Sequence, residues 1–389
     1  MRNKRWASLA VAAGTLAGVA ALPATTAQAA TTAYTVQVGG DTEVSGHIFE
    51  GMRFLAPPTF AVHKGDTITF GMAGFHTATL LPDTEQNPDS WRAQHEAGLT
   101  NDYSLIVPDT DDGPTQFEFN NADALQSDPT CGTSTAPCDY DGKSVVNSGA
   151  FNETFTVTIN DAPGASIWVI CLIHPDMQMH IQVVPDATAT TTQADVDAYK
   201  TQTLASDHES AAALIPKLEK PTHHKTASGK VVWDAYAGFD QDGYGLDGMF
   251  PATQHIKKGQ TVRWHFSQLM GNIHTVTFPK KQAKALSQQF GAPVCEAAGA
   301  DTQPTLPGPP FCADPTTLEL HVPAAALLGA GNHKYAGSTS GLTSSGVEGA
   351  GAPSMSPFDV KFTKTSSKKG FKYACIIHGT MMSGAVIVS

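Results

Sequence analysis

The sequence predicts an all-β protein built as two tandem β-sandwich domains joined by a partly helical linker. Three observations lead there. Charged residues are only 15% of the chain, while 35 Gly and 25 Pro punctuate recurring Val/Thr/Phe alternation, a composition that suits half-buried strands and turns. The 389 residues exceed what one hydrophobic core usually serves. A segment rich in sulfur and imidazole occurs twice: Cys171-Leu172-Ile173-His174-Pro175-Asp176-Met177 and Cys375-Ile376-Ile377-His378-Gly379-Thr380-Met381-Met382.

The chain opens with Arg2, Lys4 and Arg5, an apolar run from Ala7 to Leu22, and small residues ending Ala27-Gln28-Ala29-Ala30. This is the pattern of a secretory signal peptide over residues 1–30, so the mature chain is expected outside the cell. No later segment is long and apolar enough to suggest a membrane span.

The first domain is expected over 31–185. Its strands are read from Tyr34-Thr35-Val36-Gln37-Val38, Thr59-Phe60-Ala61-Val62 and Asp66-Thr67-Ile68-Thr69-Phe70, with Lys64-Gly65-Asp66 as the turn between the last two. The second domain, 230–389, repeats the order: Val231-Val232-Trp233, Gln254-His255-Ile256, the turn Lys258-Gly259-Gln260, and Thr261-Val262-Arg263-Trp264-His265-Phe266. The turn glycines are 194 residues apart, His76 and His274 are 198 apart, and Cys171 and Cys375 are 204 apart. Such near-constant offsets indicate duplication of a whole domain. Residues 186–229 form the linker, with helical composition from Gln193 to Leu218 and with Pro216 and Pro221 expected to close the helix.

Between the first His and the Cys of each half lies a long polar stretch. It includes Asp109-Thr110-Asp111-Asp112-Gly113 in one and Gly337-Ser338-Thr339-Ser340-Gly341 in the other, read as decorating loops. Each carries a cysteine pair, Cys131 with Cys138 and Cys295 with Cys312. Outside the cell these are most simply disulfides, each stabilising its loop by roughly 2 to 3 kcal/mol.

In each remaining cluster a thiolate, an imidazole and a thioether fall close together, ahead of an alternating tail (Ile181, Val183; Val386, Val388). A second imidazole is available in matching context, Phe75-His76-Thr77-Ala78-Thr79-Leu80 and Ile273-His274-Thr275-Val276-Thr277-Phe278. Two His, one Cys and a weak axial Met form a blue-copper ligand set. A lone Cys or His is more often a core residue; two complete sets at matched offsets favour ligands. The other eleven histidines, His47, His63, His95, His180, His208, His223, His224, His255, His265, His321 and His333, read as surface or packing residues.

On these motifs each half resembles a cupredoxin, the family of plastocyanin, amicyanin and azurin, and the resemblance spans nearly all of the mature chain. It implies a Greek-key β-sandwich with one type 1 copper per domain, hence two coppers, and single-electron transfer. Carried over by position, the implied ligands are His76, Cys171, His174 and Met177 in the first domain, with Met179 the competing axial residue. In the second they are His274, Cys375, His378 and Met382, with Met381 competing.

Two-domain cupredoxin chains also include copper nitrite reductases and small laccases, whose extra copper sites use His-x-His pairs and a His directly before the Cys. Here Ile170 and Ala374 precede the cysteines and no His-x-His occurs, which favours an electron carrier over an enzyme. Extracellular copper storage or delivery is the third reading. From Thr31 to Pro185 the chain has twenty Asp/Glu against four Lys/Arg. This acidic balance argues against nucleic acid and suits steering of a basic redox partner.

Overall fold

The computed structural model describes residues 30–95, 130–149, 153–241, 243–267, 273–289 and 357–389, with 173 and 175 left out. It also describes 103–105, 116–119 and 319–321, and 329–349 with gaps. The expected signal peptide and the Cys295–Cys312 pair lie outside the described residues.

Alternation of apolar side chains builds the first sandwich. Strands β1 (Ala33–Gly39), β2 (Thr42–Val44), β3 (His47–Gly51), β4 (Phe60–Val62), β5 (Thr67–Ala73) and β6 (Thr79–Leu80) open the chain. Helix α1 (Pro88–His95) follows, then β7 (Tyr103–Leu105), β8 (Gln116–Phe119), β9 (Cys138–Tyr140), β10 (Val146–Asn147), β11 (Thr154–Ile159), β12 (Ser166–Ile170) and β13 (Gln178–Val183). One sheet runs β1-β5-β11-β9 and the facing sheet runs β10-β6-β12-β13-β4. Every second residue points inward: Ile68 and Phe70 of β5 and Phe155, Val157 and Ile159 of β11 are buried against Ile167, Val169, Ile181 and Val183 of the other sheet.

Helix α2 (Gln193–Leu218) begins at Thr192, whose side chain accepts from Asp195 N–H while the Asp195 carboxylate accepts from the Thr192 backbone, a reciprocal cap. The helix ends at Leu218, the bound read from the sequence, and is capped at Glu219, with Pro216 inside its last turn. Pro216 forfeits one backbone bond, but Ala211, Ile215 and Leu218 pack with Phe49, Tyr244, Leu246 and Phe250, and that burial carries the helix past it. Near its start, Val196 joins the first core.

The second sandwich follows with β14 (Thr222–Lys225), β15 (Val231–Gln241), β16 (Tyr244–Phe250), β17 (Thr253–Ile256), β18 (Thr261–Phe266) and β19 (Thr277–Phe278). Helix α3 (Lys280–Gln289) precedes β20 (Glu319–His321), β21 (Lys334–Tyr335), β22 (Thr343–Ser344), β23 (Phe358–Phe362), β24 (Phe371–Ala374) and β25 (Ser383–Val388). Its sheets are β2-β3-β16-β15-β18-β23-β21, with β14 on β15, and β17-β25-β24-β19-β22. Trp264 is fully buried at the centre, edge-on to Phe278 and Tyr373.

The hairpin β2–β3 belongs to the first half in sequence but to the second sandwich's sheet in space. It pairs antiparallel with β16, setting Gly51 opposite Tyr244, Glu50 opposite Gly245, Phe49 opposite Leu246 and Ile48 opposite Asp247. The two halves therefore share one continuous sheet. The long insertions also meet, since β20 pairs with β8 and β8 with β7, so segments expected as plain loops contribute short strands. Cys131 and Cys138 are disulfide-bonded as expected.

Candidate metal centres

The first centre lies where β5, β6, β12 and β13 converge. Cys171 follows β12 directly, and His76 lies between β5 and β6. Both are fully buried, and His174 is 3% exposed. The His76 and His174 Nδ1 atoms are 3.1 Å apart, and Cys171 Sγ is 3.8 Å from His174 Nδ1. Two imidazole nitrogens and a sulfur thus converge on one point.

The sulfur is held by backbone donors: Thr77 N–H and His174 N–H point at Cys171 Sγ over 3.3 and 3.4 Å. The Thr77 hydroxyl accepts from Leu172 N–H at 2.8 Å, and Ser148 Oγ accepts from Ala78 N–H at 2.8 Å. These bonds tie the His76 segment to the Cys171 loop and fix both donors before any ion is present.

The second centre repeats most of these bonds. His274 and His378 Nδ1 are 3.2 Å apart, and Cys375 Sγ is 3.6 Å from His378 Nδ1. Thr275 N–H points at Cys375 Sγ over 3.3 Å, and Thr275 Oγ1 accepts from Ile376 N–H at 2.7 Å. Ser345 Oγ accepts from Val276 N–H at 2.9 Å. Among the described residues, His76-Cys171-His174 and His274-Cys375-His378 are the groups of three or more His, Cys, Asp or Glu whose donor atoms cluster closely enough to hold a metal.

The methionine expectations divide on exposure and backbone bonding. Cys171 N–H donates to the Met177 carbonyl, and Cys375 N–H to the Met382 carbonyl, each over 2.9 Å. Met177 is 2% exposed and Met382 fully buried, whereas Met381 is 55% exposed. Met179, 6% exposed, sits within β13 opposite Val169.

Sequence reasoning missed what lies behind the imidazoles. With Nδ1 turned to the centre, each Nε2 faces a carboxylate: His76 to Asp41 at 3.9 Å, His174 to Glu50 at 3.4 Å, His274 to Asp247 Oδ1 at 3.8 Å, and His378 to Asp247 Oδ2 at 3.7 Å. Two glycines allow this packing. Gly39 and Gly238 adopt φ of +80° and +73°, and a Cβ at either would run into the His76 or His274 ring. The only signal in the sequence was an acidic residue two positions after each glycine, Asp41 and Asp240, and it does not point to Glu50 or Asp247.

These charges set the protonation of the metal-free sites. Burial opposes charge on His76, yet Asp41 and Cys171 outweigh it and lift the imidazole to about 9. Burial likewise opposes charge on His378, where Asp247 and Cys375 raise it to about 10. Glu50 raises His174 well above its ordinary value despite burial, and burial would raise Glu50 but the neighbouring imidazoles, His174 foremost, hold it at about 2. His274, dominated by burial, is lowered. Both thiols are drawn well below their ordinary value by their histidines, against the opposing effect of burial.

A cleft of about 410 Å³ opens beside the first centre, with Met52, Phe54, Trp168, Tyr199, His174 and Met177 in its wall. The histidines expected as packing or surface residues behave so where described. His180 bonds Ser166, His63 meets the Thr188 carbonyl, and His224 and His265 bond Asp234.

No family model matches the chain, and no curated protein matches it either. Similar solved structures include reduced auracyanin from the photosynthetic bacterium Roseiflexus castenholzii, 18% identical over 40% of this chain and 99% of that one, TM-score 0.20. The multicopper oxidase mgLAC is 13% identical over 64% of this chain and 65% of its own, TM-score 0.18. A blue copper oxidase from Nitrosomonas europaea is 12% identical over 64% of each chain, TM-score 0.18.

Proposed function

From the tandem cupredoxin-like fold of this chain, we propose that it is a secreted electron carrier with two type 1 copper centres. One lies in a domain over 31–185 and one in a domain over 230–389, joined by 186–229. The ligands are His76, Cys171, His174 and axial Met177 in the first, and His274, Cys375, His378 and axial Met382 in the second. The observation that carries this reading is the convergence of two Nδ1 atoms and one Sγ at both centres, with separations of 3.1 to 3.8 Å. Donors bound to one small ion at roughly 2.0 to 2.3 Å would stand about this far apart.

The donors fit copper in kind as well as spacing, since thiolate, imidazole and thioether suit a soft metal. When bound, copper supplies a one-electron change of oxidation state; the chain's residues do the rest. The backbone donors to Cys171 and Cys375 hold each sulfur in place. Thr77 and Thr275 lock the His-bearing segment to the Cys loop, so the donor geometry is fixed by the sandwich. Burial keeps water from the sulfurs. The acidic first domain steers a basic redox partner, with no nucleic acid and no membrane-spanning segment required.

The alternatives are a nitrite reductase or small laccase type of oxidoreductase, and a storage or delivery protein. Neither gains a specific observation: the donor-atom groups among the described residues are the two His-Cys-His sets alone. The test is anaerobic titration of the copper-loaded chain with a one-electron reductant. The proposal expects two electrons taken up per chain, reversible bleaching, and no turnover of nitrite or phenols. Catalytic turnover would overturn it in favour of the enzyme.

A further inference from the structure

All four candidate ligand imidazoles turn their second nitrogen toward carboxylates rather than toward solvent. His76 and His274 are fully buried, and among the described residues their Nε2 atoms find no partner within hydrogen-bond distance. The carboxylates facing them lie in or beside the β2–β3 hairpin and on β16, where the halves share a sheet. Glu50 is opposite Gly245, and Asp247 is two residues further along β16. Residues two apart share a face of a strand, so Glu50 and Asp247 stand on the same face as diagonal neighbours, a separation of roughly 7 to 8 Å between such positions.

The pairing is also nearly symmetric. Ile48 and Asp247 are paired and 199 positions apart, the offset that separates Gly39 from Gly238. Asp247 thus sits where equivalent strands of the two halves pair with each other.

We infer that Glu50 and Asp247 are positioning residues forming a shared carboxylate bridge, through which the charge at one centre sets the reduction potential of the other. The inference rests on both centres binding copper. Buried charges act through a low dielectric and are poorly screened by salt, so a carboxylate between two centres acts on both. Glu50 stands 3.4 Å from His174, and Asp247 stands 3.8 and 3.7 Å from His274 and His378, so each carboxylate touches one centre and is one diagonal step from the carboxylate that touches the other. A negative charge there favours the more positive oxidised form at each centre, and removing it raises both potentials.

The experiment isolates the distant centre. Full-length Cys171→Ser and Cys171→Ser/Glu50→Gln chains each retain only the second centre, and its midpoint potential is followed through the Cys375 thiolate absorption. The expected result is a higher midpoint in the Glu50→Gln chain, with Glu43→Gln, an exposed position on the same hairpin, causing no shift. Asp247→Asn in a Cys375→Ser chain gives the reciprocal reading on the first centre, should the Glu50 variant fail to fold. Midpoints unchanged at the distant centre would overturn the bridge. A Cys171→Ser chain that binds no copper would instead count against the two-copper reading itself.

Discussion

The backbone N–H of Cys375 donates to the carbonyl of Met382 over 2.9 Å, the bond that also joins Cys171 to Met177. The two loops differ in length by one residue, yet close in the same way. This places Met382, not the exposed Met381, at the position equivalent to Met177. Met382→Leu is therefore expected to shift the reduction potential and visible spectrum of the second centre, because the axial ligand tunes both. A Met-to-Leu exchange costs less than about 1.5 kcal/mol of stability, so the fold should persist. Met381→Leu is expected to leave the spectrum unchanged; absorption and voltammetry on both variants check this.

Asp247 meets both imidazoles of the second centre, one with each oxygen, whereas the first centre uses Asp41 and Glu50 separately. Partners of this kind typically contribute 10- to 100-fold in metal affinity. Asp247→Asn should weaken copper at the second centre within about that range and at the first by much less, since the imidazoles that Asp247 touches are the second centre's. Competition with a chelator, followed through the two thiolate bands, measures it.

Gly238 sits at the register shift between Ala237 and Phe239, at φ +73°. Alanine there meets two penalties: a backbone region that L side chains avoid, costing about 1 kcal/mol or more, and a Cβ driven into the His274 ring. Gly238→Ala should abolish the second centre's thiolate band while the first centre keeps its own. An intact second band would show that the His274 ring is not where the structure puts it.

Without metal, the pKa of His76 is raised to about 9 and that of His378 to about 10, His174 is raised well above its ordinary value, His274 is lowered, and both thiols are lowered well below theirs. Ligand nitrogens must be deprotonated to bind. Copper loading at neutral pH should release protons, chiefly from the imidazoles whose values are raised. Raised pKa values mean that protons compete up to those values, so apparent affinity should climb as pH rises toward 9 to 10 and weaken as it falls. Calorimetry in buffers of differing ionisation enthalpy counts the protons.

The strands and the His, Cys and Met positions were legible because each is a local pattern. Ile68 and Phe70 alternate with Thr67 and Thr69, and Cys171 is three residues from His174. The partners of the imidazoles were not legible. Glu50 and Asp247 lie on strands from different halves and become neighbours only through the β3–β16 pairing, a long-range register that no local pattern encodes. The hairpin itself, Thr42–Gly51, escaped notice because its inward positions, Val44 and Phe49, pack on the linker helix and β16 rather than on its own sandwich.

The most direct test of the central claim is copper content per chain, together with visible absorption and electron spin resonance, on the copper-loaded protein. The account predicts two coppers, an intense thiolate-to-copper band and type 1 signals alone. A single copper, or an added type 2 or coupled signal, would contradict it.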